Sequence, residues 1–226
     1  MFDLISRYDD QILEAFWVTI QLTVLSGIAA LVLGTIVAAL RVSPVPVARA
    51  VGTAYVTLFR NTPLTLIIVF CSLGLYTTMG WRLAPEGPES VAQNNFRFAI
   101  VGLSIYTAAF VCESLRSGIN TVPMGQSEAG RSLGFSFGQN LRLVVLPQAF
   151  RSVIAPLGSV LIALTKNSTI ASAIGVAEAA HLMAGMIDSE AALLAIGAIF
   201  ALGFVILTLP LGLLFGWLAK RYEVAR

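Results

Sequence analysis

Long apolar runs alternate with short polar connections along this chain. A bilayer core of about 30 Å is crossed by about 20 helical residues. The run 15–40 is charge-free and predicts a first span. Arg41 ends it, and Ser43-Pro44-Val45-Pro46 forms a turn that cannot continue a helix. A second span is predicted over 54–79, carrying Arg60-Asn61-Thr62-Pro63 in its first half. The stretch 81–97 holds two prolines, Glu86, Glu89 and several amides, and reads as an exposed loop. A third span follows over 97–118, then a fourth over 152–176, interrupted by Lys166 and Asn167. After a second predicted exposed loop over 178–190, the charge-free run 191–219 predicts the fifth, closed by Lys220 and Arg221. The uncharged cores of the third and fourth spans are shorter than those of the first and fifth. Between the third and fourth lies a polar, arginine-bearing island, 127–147.

Composition agrees with the pattern. Of 226 residues, 57% are hydrophobic and 12% charged, half the charged share of a soluble domain. The chain therefore reads as an all-α integral membrane protein, a single transmembrane domain over 1–226. A net charge of +2 gives no ground for a nucleic-acid partner. Cys71 and Cys112 sit in apolar runs without paired spacing and read as buried small hydrophobes. The residues before the first run are acidic, the reverse of a signal peptide's basic start, so that run is expected to stay in the mature protein.

Lysine and arginine are unevenly shared. One set of connections holds Arg41, Arg49, Arg116, Arg131, Arg142, Arg151, Lys220, Arg221 and Arg226, and the other only Arg7, Arg82 and Arg97. Positively charged loops stay inside. The island and the C-terminus are thus expected in the cytoplasm and the N-terminus outside.

Within the island, Thr121 can cap a short helix with Pro123 in its first turn. Its course through Glu128, Ala129 and Arg131 to Leu133 ends at Gly134, suited to a left-handed closing residue. Glu128 and Arg131, three apart, can pair, and Gly130 admits another backbone closely. A second amphipathic piece leads to Leu146-Pro147, where the proline is expected to reset the chain. Such a helix is either a surface element of a loop or a docking knob for a soluble protein.

The motifs resemble a known family. Glu128-Ala129-Gly130, then Gly134, Val144 and Leu146-Pro147, are similar to the signature loop of ABC importer permeases. Gly130 stands where that loop has a second alanine, and Val144 where it has isoleucine. Glycine there should loosen the helix by about 1 kcal/mol. Phe59-Arg60-Asn61-Thr62-Pro63-Leu64, Glu113-Ser114-Leu115-Arg116-Ser117-Gly118-Ile119 and Leu164-Thr165-Lys166-Asn167-Ser168-Thr169 resemble polar amino-acid permeases, with the glutamate permease subunits of actinobacteria nearest in pattern.

The resemblance implies a type I ABC importer transmembrane subunit with five transmembrane helices, in the bacterial plasma membrane. The implied partners are a dimer of cytoplasmic ATPase subunits, a second permease subunit (related and non-identical), an extracellular solute-binding protein and an amino-acid substrate. The island would be the ATPase-coupling element, with Glu128, Ala129, Gly130, Arg131, Leu133, Gly134 and Pro147 carrying it. The chain has no Gly-x-x-x-x-Gly-Lys-Ser/Thr phosphate loop, so it is expected to be no enzyme. ATP and magnesium would belong to the partner.

Candidate path residues follow from polarity inside spans. Lys166 is an intramembrane charge. Ser159, Ala163, Lys166 and Asn167 share one helical face by three- and four-residue spacing, with Ser168 adjoining. Lys166 either meets a substrate carboxylate or pairs with a neighbouring group and fixes packing. Ser104 and Thr107 on the third span face the path or bond helix to helix. Arg60, Asn61, Thr62 and Pro63 read as pore-wall structure, and Glu113 with Arg116 as an ion pair. His181, the one histidine, has no second ligand near it in sequence, so no metal site is expected. No carboxylate occupies mid-span, which favours an acidic or neutral amino acid over a cationic one. An ion-coupled secondary transporter would need internal repeats and an embedded acid, neither of which is visible. A Ser168–Lys166 protease dyad fails because residues two apart point about 200° apart. A membrane assembly subunit without transport would have no need of Lys166-Asn167-Ser168-Thr169.

Overall fold

In the computed structural model, residues 2–222 are described, with side chains from Leu4 onward; Arg226 lies outside them. Helix α1 is Phe2–Val42, α2 Pro46–Asn61 and α3 Leu64–Val69, the last continuing as a π-helix, Phe70–Thr78. Helix α4 is Ser90–Asn120, α5 Met124–Ser132 and α6 Phe137–Asn140. A π-turn, Leu141–Val145, leads into α7, Leu146–Asn167, which tightens to a 3-10 helix, Ser168–Ile174. Helices α8, Ala179–Glu190, and α9, Leu193–Tyr222, complete the order, with no strand among the described residues.

Four helical stretches are long and apolar enough to cross a bilayer, and a bent pair meets the same measure only when its two arms are taken together. That pair corrects the second predicted span. Instead of one helix over 54–79, Pro46–Asn61 and Leu64–Thr78 meet at 102°. Pro63 has no N–H to donate and forces Thr62 out of the helical region, to φ −95° and ψ 131°.

Helix α1 packs along α4, α4 along α7, and α7 along α9. Leu22, Ile68, Leu103, Leu164 and Ala171 form the central core where α1, α3, α4 and α7 converge. A second cluster, with Leu4, Met186, Ile196 and Phe200, joins the start of α1 to α8 and α9. Helix α4, the most buried of the long helices, lies at the centre of this core, with α1 and α7 packed against it.

Two predicted loops are more ordered than their polarity implied. The 81–97 stretch is already helical from Ser90, and Asn94 is buried there. Its Oδ1 accepts from the Leu83 and Ala84 N–H groups, at 2.7 and 3.1 Å. The 178–190 stretch is helix α8, not an exposed loop. Glu178 is fully buried and caps it, accepting from the N–H groups of Ala180 and His181.

The island also departs from expectation. Thr121 does not cap α5; its hydroxyl donates to the Gly118 carbonyl (2.7 Å) and lies 3.1 Å from Ser152 Oγ. Helix α5 starts directly after Pro123, without a side-chain cap. Glu128 and Arg131 form no ion pair among the described residues, and both are exposed. Pro147 does not reset the chain: 137–174 runs as one helical path, because the π-turn just before it precedes the position with no N–H. Gly134 adopts φ +84°, the closing conformation expected.

Gly130 is the tight point. It is buried, and a Cβ there would lie 2.5 Å from Asn140 Oδ1. Asn140, also buried, reaches from α6 to donate to the Ser127 carbonyl (3.0 Å) and Ser127 Oγ (2.7 Å). Glycine leaves room for the Asn140 amide in this clasp, and a Cβ would make it shift.

Two outcomes test this architecture. Gly130→Ala gains about 1 kcal/mol of helix propensity but displaces Asn140, at roughly 1–3 kcal/mol for overpacking. Amide hydrogen exchange across 124–140 should quicken in Gly130→Ala and recover when Asn140→Ala is added. Burial pushes the Glu178 carboxyl from 4.5 up to about 7. The folded protein then holds a proton that the unfolded chain has released, so stability falls as pH rises from about 4.5 through about 7. Glu178→Gln should flatten that slope in detergent melting curves; an unchanged slope would exclude Glu178 as its source.

Candidate functional site

Helix α5 stands off the membrane helices and packs chiefly on α6 and the π-turn. Its sequence explains this. Met124, Gly125, Gln126, Glu128 and Arg131 offer no continuous apolar stripe to bury. Glu128, Ala129, Arg131, Leu133 and Gly134 are all exposed, and Gly130 alone of the predicted coupling residues is buried on α5. Met124 and Leu133, at the two ends of the helix, are 76% and 77% exposed. Both are large apolar side chains on an otherwise polar knob.

Two polar clasps tie this knob to the spans. Asn140 holds α5 to α6, as described. Ser152, on α7, donates to the carbonyl of Ala149 (2.8 Å) and also approaches that of Gly118 (3.4 Å) and the Thr121 hydroxyl (3.1 Å). The end of α4 and the start of α7 are thereby joined beside the island. Pro147 is exposed at the head of α7, on the path from knob to span.

Along α7 the predicted face divides. Ser159, Ala163 and Lys166 are exposed and Asn167 is partly so, forming one open face. Lys166 makes no side-chain hydrogen bond or ion pair among the described residues. Ser168 is fully buried and donates to the Thr165 carbonyl (2.8 Å), so it faces inward rather than onto that surface. Ser104 and Thr107 are also buried, at 6% and 3% exposure. Ser104 donates to the Ile100 carbonyl (2.6 Å), and both residues lie in helix packing rather than on an open path. Their hydroxyls are short, and close packing at α4 leaves them no outlet.

The switch from α-helix to 3-10 helix at Ser168 has a local cause. Ser168, Thr169 and Ser172 each donate to the carbonyl three residues earlier. Those bonds compete with the α-helical pattern and tighten the turn. Asn95, on α4, then takes the end: its Nδ2 donates to the Ile174 carbonyl (2.7 Å), and its Oδ1 accepts from Ser72. Gly175 follows at φ +77°.

The other predicted pore-wall residues form the corner between α2 and α3. Asn61 and Thr62 bond back to the carbonyls of Thr57 and Leu58, each at 2.8 Å, wrapping the last turn before Pro63. The Arg60 guanidinium lies 5.9 Å from the Phe110 ring centroid. Glu113 meets Arg116 at 3.1 Å, as expected, and also binds Arg41 of α1. Nothing local in the sequence announced the partners of Arg41, Asn95, Asn140 or Glu178.

His181 is exposed on α8, and no cluster of three or more His, Cys, Asp or Glu able to hold a metal occurs among the described residues.

Comparisons with known proteins agree with this architecture. The family described as "Binding-protein-dependent transport system inner membrane component" matches residues 15–224. The glutamate transport system permease protein GluC of Corynebacterium efficiens is 56% identical over 217 residues, 95% of each chain. GluC of Corynebacterium glutamicum is 54% identical over the same share of each. A crystal structure of an amino acid ABC transporter with histidines superposes with a TM-score of 0.86 at 25% identity, covering 98% of both chains. With the helical path, the stand-off α5 and a family match over nearly its whole length, the chain belongs to the inner-membrane components of binding-protein-dependent transport systems, multi-pass ABC importer permeases of the plasma membrane rather than enzymes.

Proposed function

We propose that this chain is the permease subunit of an ATP-driven importer for glutamate or a related acidic or amide amino acid, handed over by an extracellular binding protein. The observation that carries it is the clasped, exposed helix α5, joined through Asn140 and Pro147 to the same continuous helix that bears Lys166. Helix α5 docks on a cytoplasmic ATPase dimer through Glu128, Ala129, Arg131, Leu133 and Gly134, with Gly130 setting its backing. ATP and magnesium are held by that partner. The N-terminus lies outside and the C-terminal end of α9 in the cytoplasm, in keeping with the arginine bias.

The open face Ser159, Ala163, Lys166 and Asn167 lines the path against a second permease chain, related but non-identical. An unpaired lysine there attracts a substrate carboxylate, and the two glutamate permease relatives favour glutamate. Arg60, Asn61, Thr62, Pro63, Glu113 and Arg116 hold the wall in shape. Ser104, Thr107 and Ser168 serve packing in this reading.

Docking is tested with Leu133→Asp, a change on an exposed side chain that leaves the permease fold intact. It should weaken co-purification of the ATPase by roughly thirtyfold, the size of a lost apolar anchor of about 2 kcal/mol. Undiminished co-purification would exclude α5 as the dock.

For the substrate, ATPase stimulation by loaded binding protein is compared in proteoliposomes. Glutamate should stimulate and arginine should not; stimulation by arginine alone overturns the acidic preference. Lys166→Gln should reduce glutamate uptake about tenfold, the loss of one charge-assisted hydrogen bond, while ATPase co-purification is unchanged.

A further inference from the structure

Away from α5 and the α7 face, a shallow, wide-open cavity of about 630 Å³ lies along α2, beside the ends of α1 and α4. Three arginines line it, Arg41, Arg49 and Arg116, and no acidic residue does. Glu113 nearby binds Arg41 through one oxygen and Arg116 through the other. One carboxylate against three cations leaves two positive charges unbalanced. Arg49 donates to the carbonyls of Ser43 (3.1 Å) and Pro44 (3.3 Å), and the fork keeps further N–H groups free. The Nε–H of Arg116 is buried without a partner.

Helix α2 is amphipathic in a way that fits this cavity. Arg49, Thr53 and Thr57 recur every four residues and line it, with Ala50 and Ala54 keeping the wall thin. On the opposite side Val47, Val51 and Leu58 are 72%, 56% and 60% exposed. The 102° corner turns α2 away from the span it precedes, and Arg41 marks the end of the apolar run of α1. A helix with one cationic and one apolar face at that level suits the boundary between headgroups and acyl chains.

We propose that this cavity binds the phosphate of an anionic phospholipid headgroup, with Arg49 and Arg116 as donors and the Val47–Val51 face against the acyl chains. Planar guanidinium forks match phosphate oxygens in pairs, and basic pockets between membrane helices hold anionic headgroups. The chemistry is that of a phosphate group, so free phosphate is the other source to separate.

The full chain, with its partner subunits, is placed in nanodiscs of phosphatidylcholine with or without phosphatidylglycerol, and retained lipid is counted by native mass spectrometry. Wild type should retain phosphatidylglycerol. Arg49→Ala should lower its apparent affinity roughly five- to tenfold, Arg49→Lys less, and Arg82→Ala, at the opposite end of the molecule, not at all. Melting temperature of each variant checks folding. In phosphatidylcholine discs alone, inorganic phosphate that raises the melting temperature of wild type but not of Arg49→Ala would assign the site to free phosphate rather than lipid. Equal phosphatidylglycerol retention by wild type and a folded Arg49→Ala, or equal losses in Arg49→Ala and Arg82→Ala, would overturn the proposal.

Discussion

Glu113 accepts from two cations at once, Arg41 at the end of α1 and Arg116 one turn along α4. Charge at the edge of an apolar layer is tolerated when it is paired and hydrogen-bonded. This one carboxylate therefore fixes how α1 and α4, the most extensively packed pair, meet at that end. The consequences run outward from it. Two residues past Arg116, the carbonyl of Gly118 meets Ser152 and so places the head of α7. The island, 127–147, follows nine residues later, from a point that is already held. The ion pair adds direction to an apolar contact at the same end, where Val37 and Ala38 of α1 pack on Cys112 and Leu115 of α4.

Side-chain amides do comparable work at the two ends of the 137–174 helix. Asn140 grips Ser127 across α5 at one end, and Asn95 takes the Ile174 carbonyl at the other. Between them the helix is not uniform. It opens to π geometry at Leu141–Val145 and closes to 3-10 geometry at Ser168–Ile174. Such departures mark places where a helix yields locally. Under the proposed coupling, displacement of α5 enters beside the first and reaches Lys166 next to the second. Gly130 belongs to this arrangement: its missing Cβ is the space in which Asn140 sits.

Much of this was readable from residue order. A charge-free stretch such as 15–40 or 191–219 in water would expose more apolar surface than any soluble fold allows, so its fate is local and predictable. The island was legible for the converse reason, since its polarity cannot be buried in lipid. The second span reads straight through Pro63, because hydropathy runs on across a proline whose effect is a 102° corner. The polar residues within spans were less legible. Lys166 and Ser168 lie two apart in sequence, yet one is exposed and the other fully buried. Helical phase separates them, but only the neighbours decide which direction is inward. Ser104 and Thr107 were ambiguous for the same reason, and packing against α1 and α7 resolved them toward the core.

By itself, then, the sequence determined the helical class, the approximate crossings, the polar island and the left-handed turn at Gly134, because each depends on hydropathy or backbone sterics within a few residues. Tertiary structure decided the partners of Glu113, Asn95, Asn140 and Glu178, the burial of Ser168, and the grouping of Arg41, Arg49 and Arg116 around one cavity. Those depend on side chains brought together from distant positions, such as Arg41 and Glu113, 72 residues apart. No periodicity along the chain encodes which of them will meet.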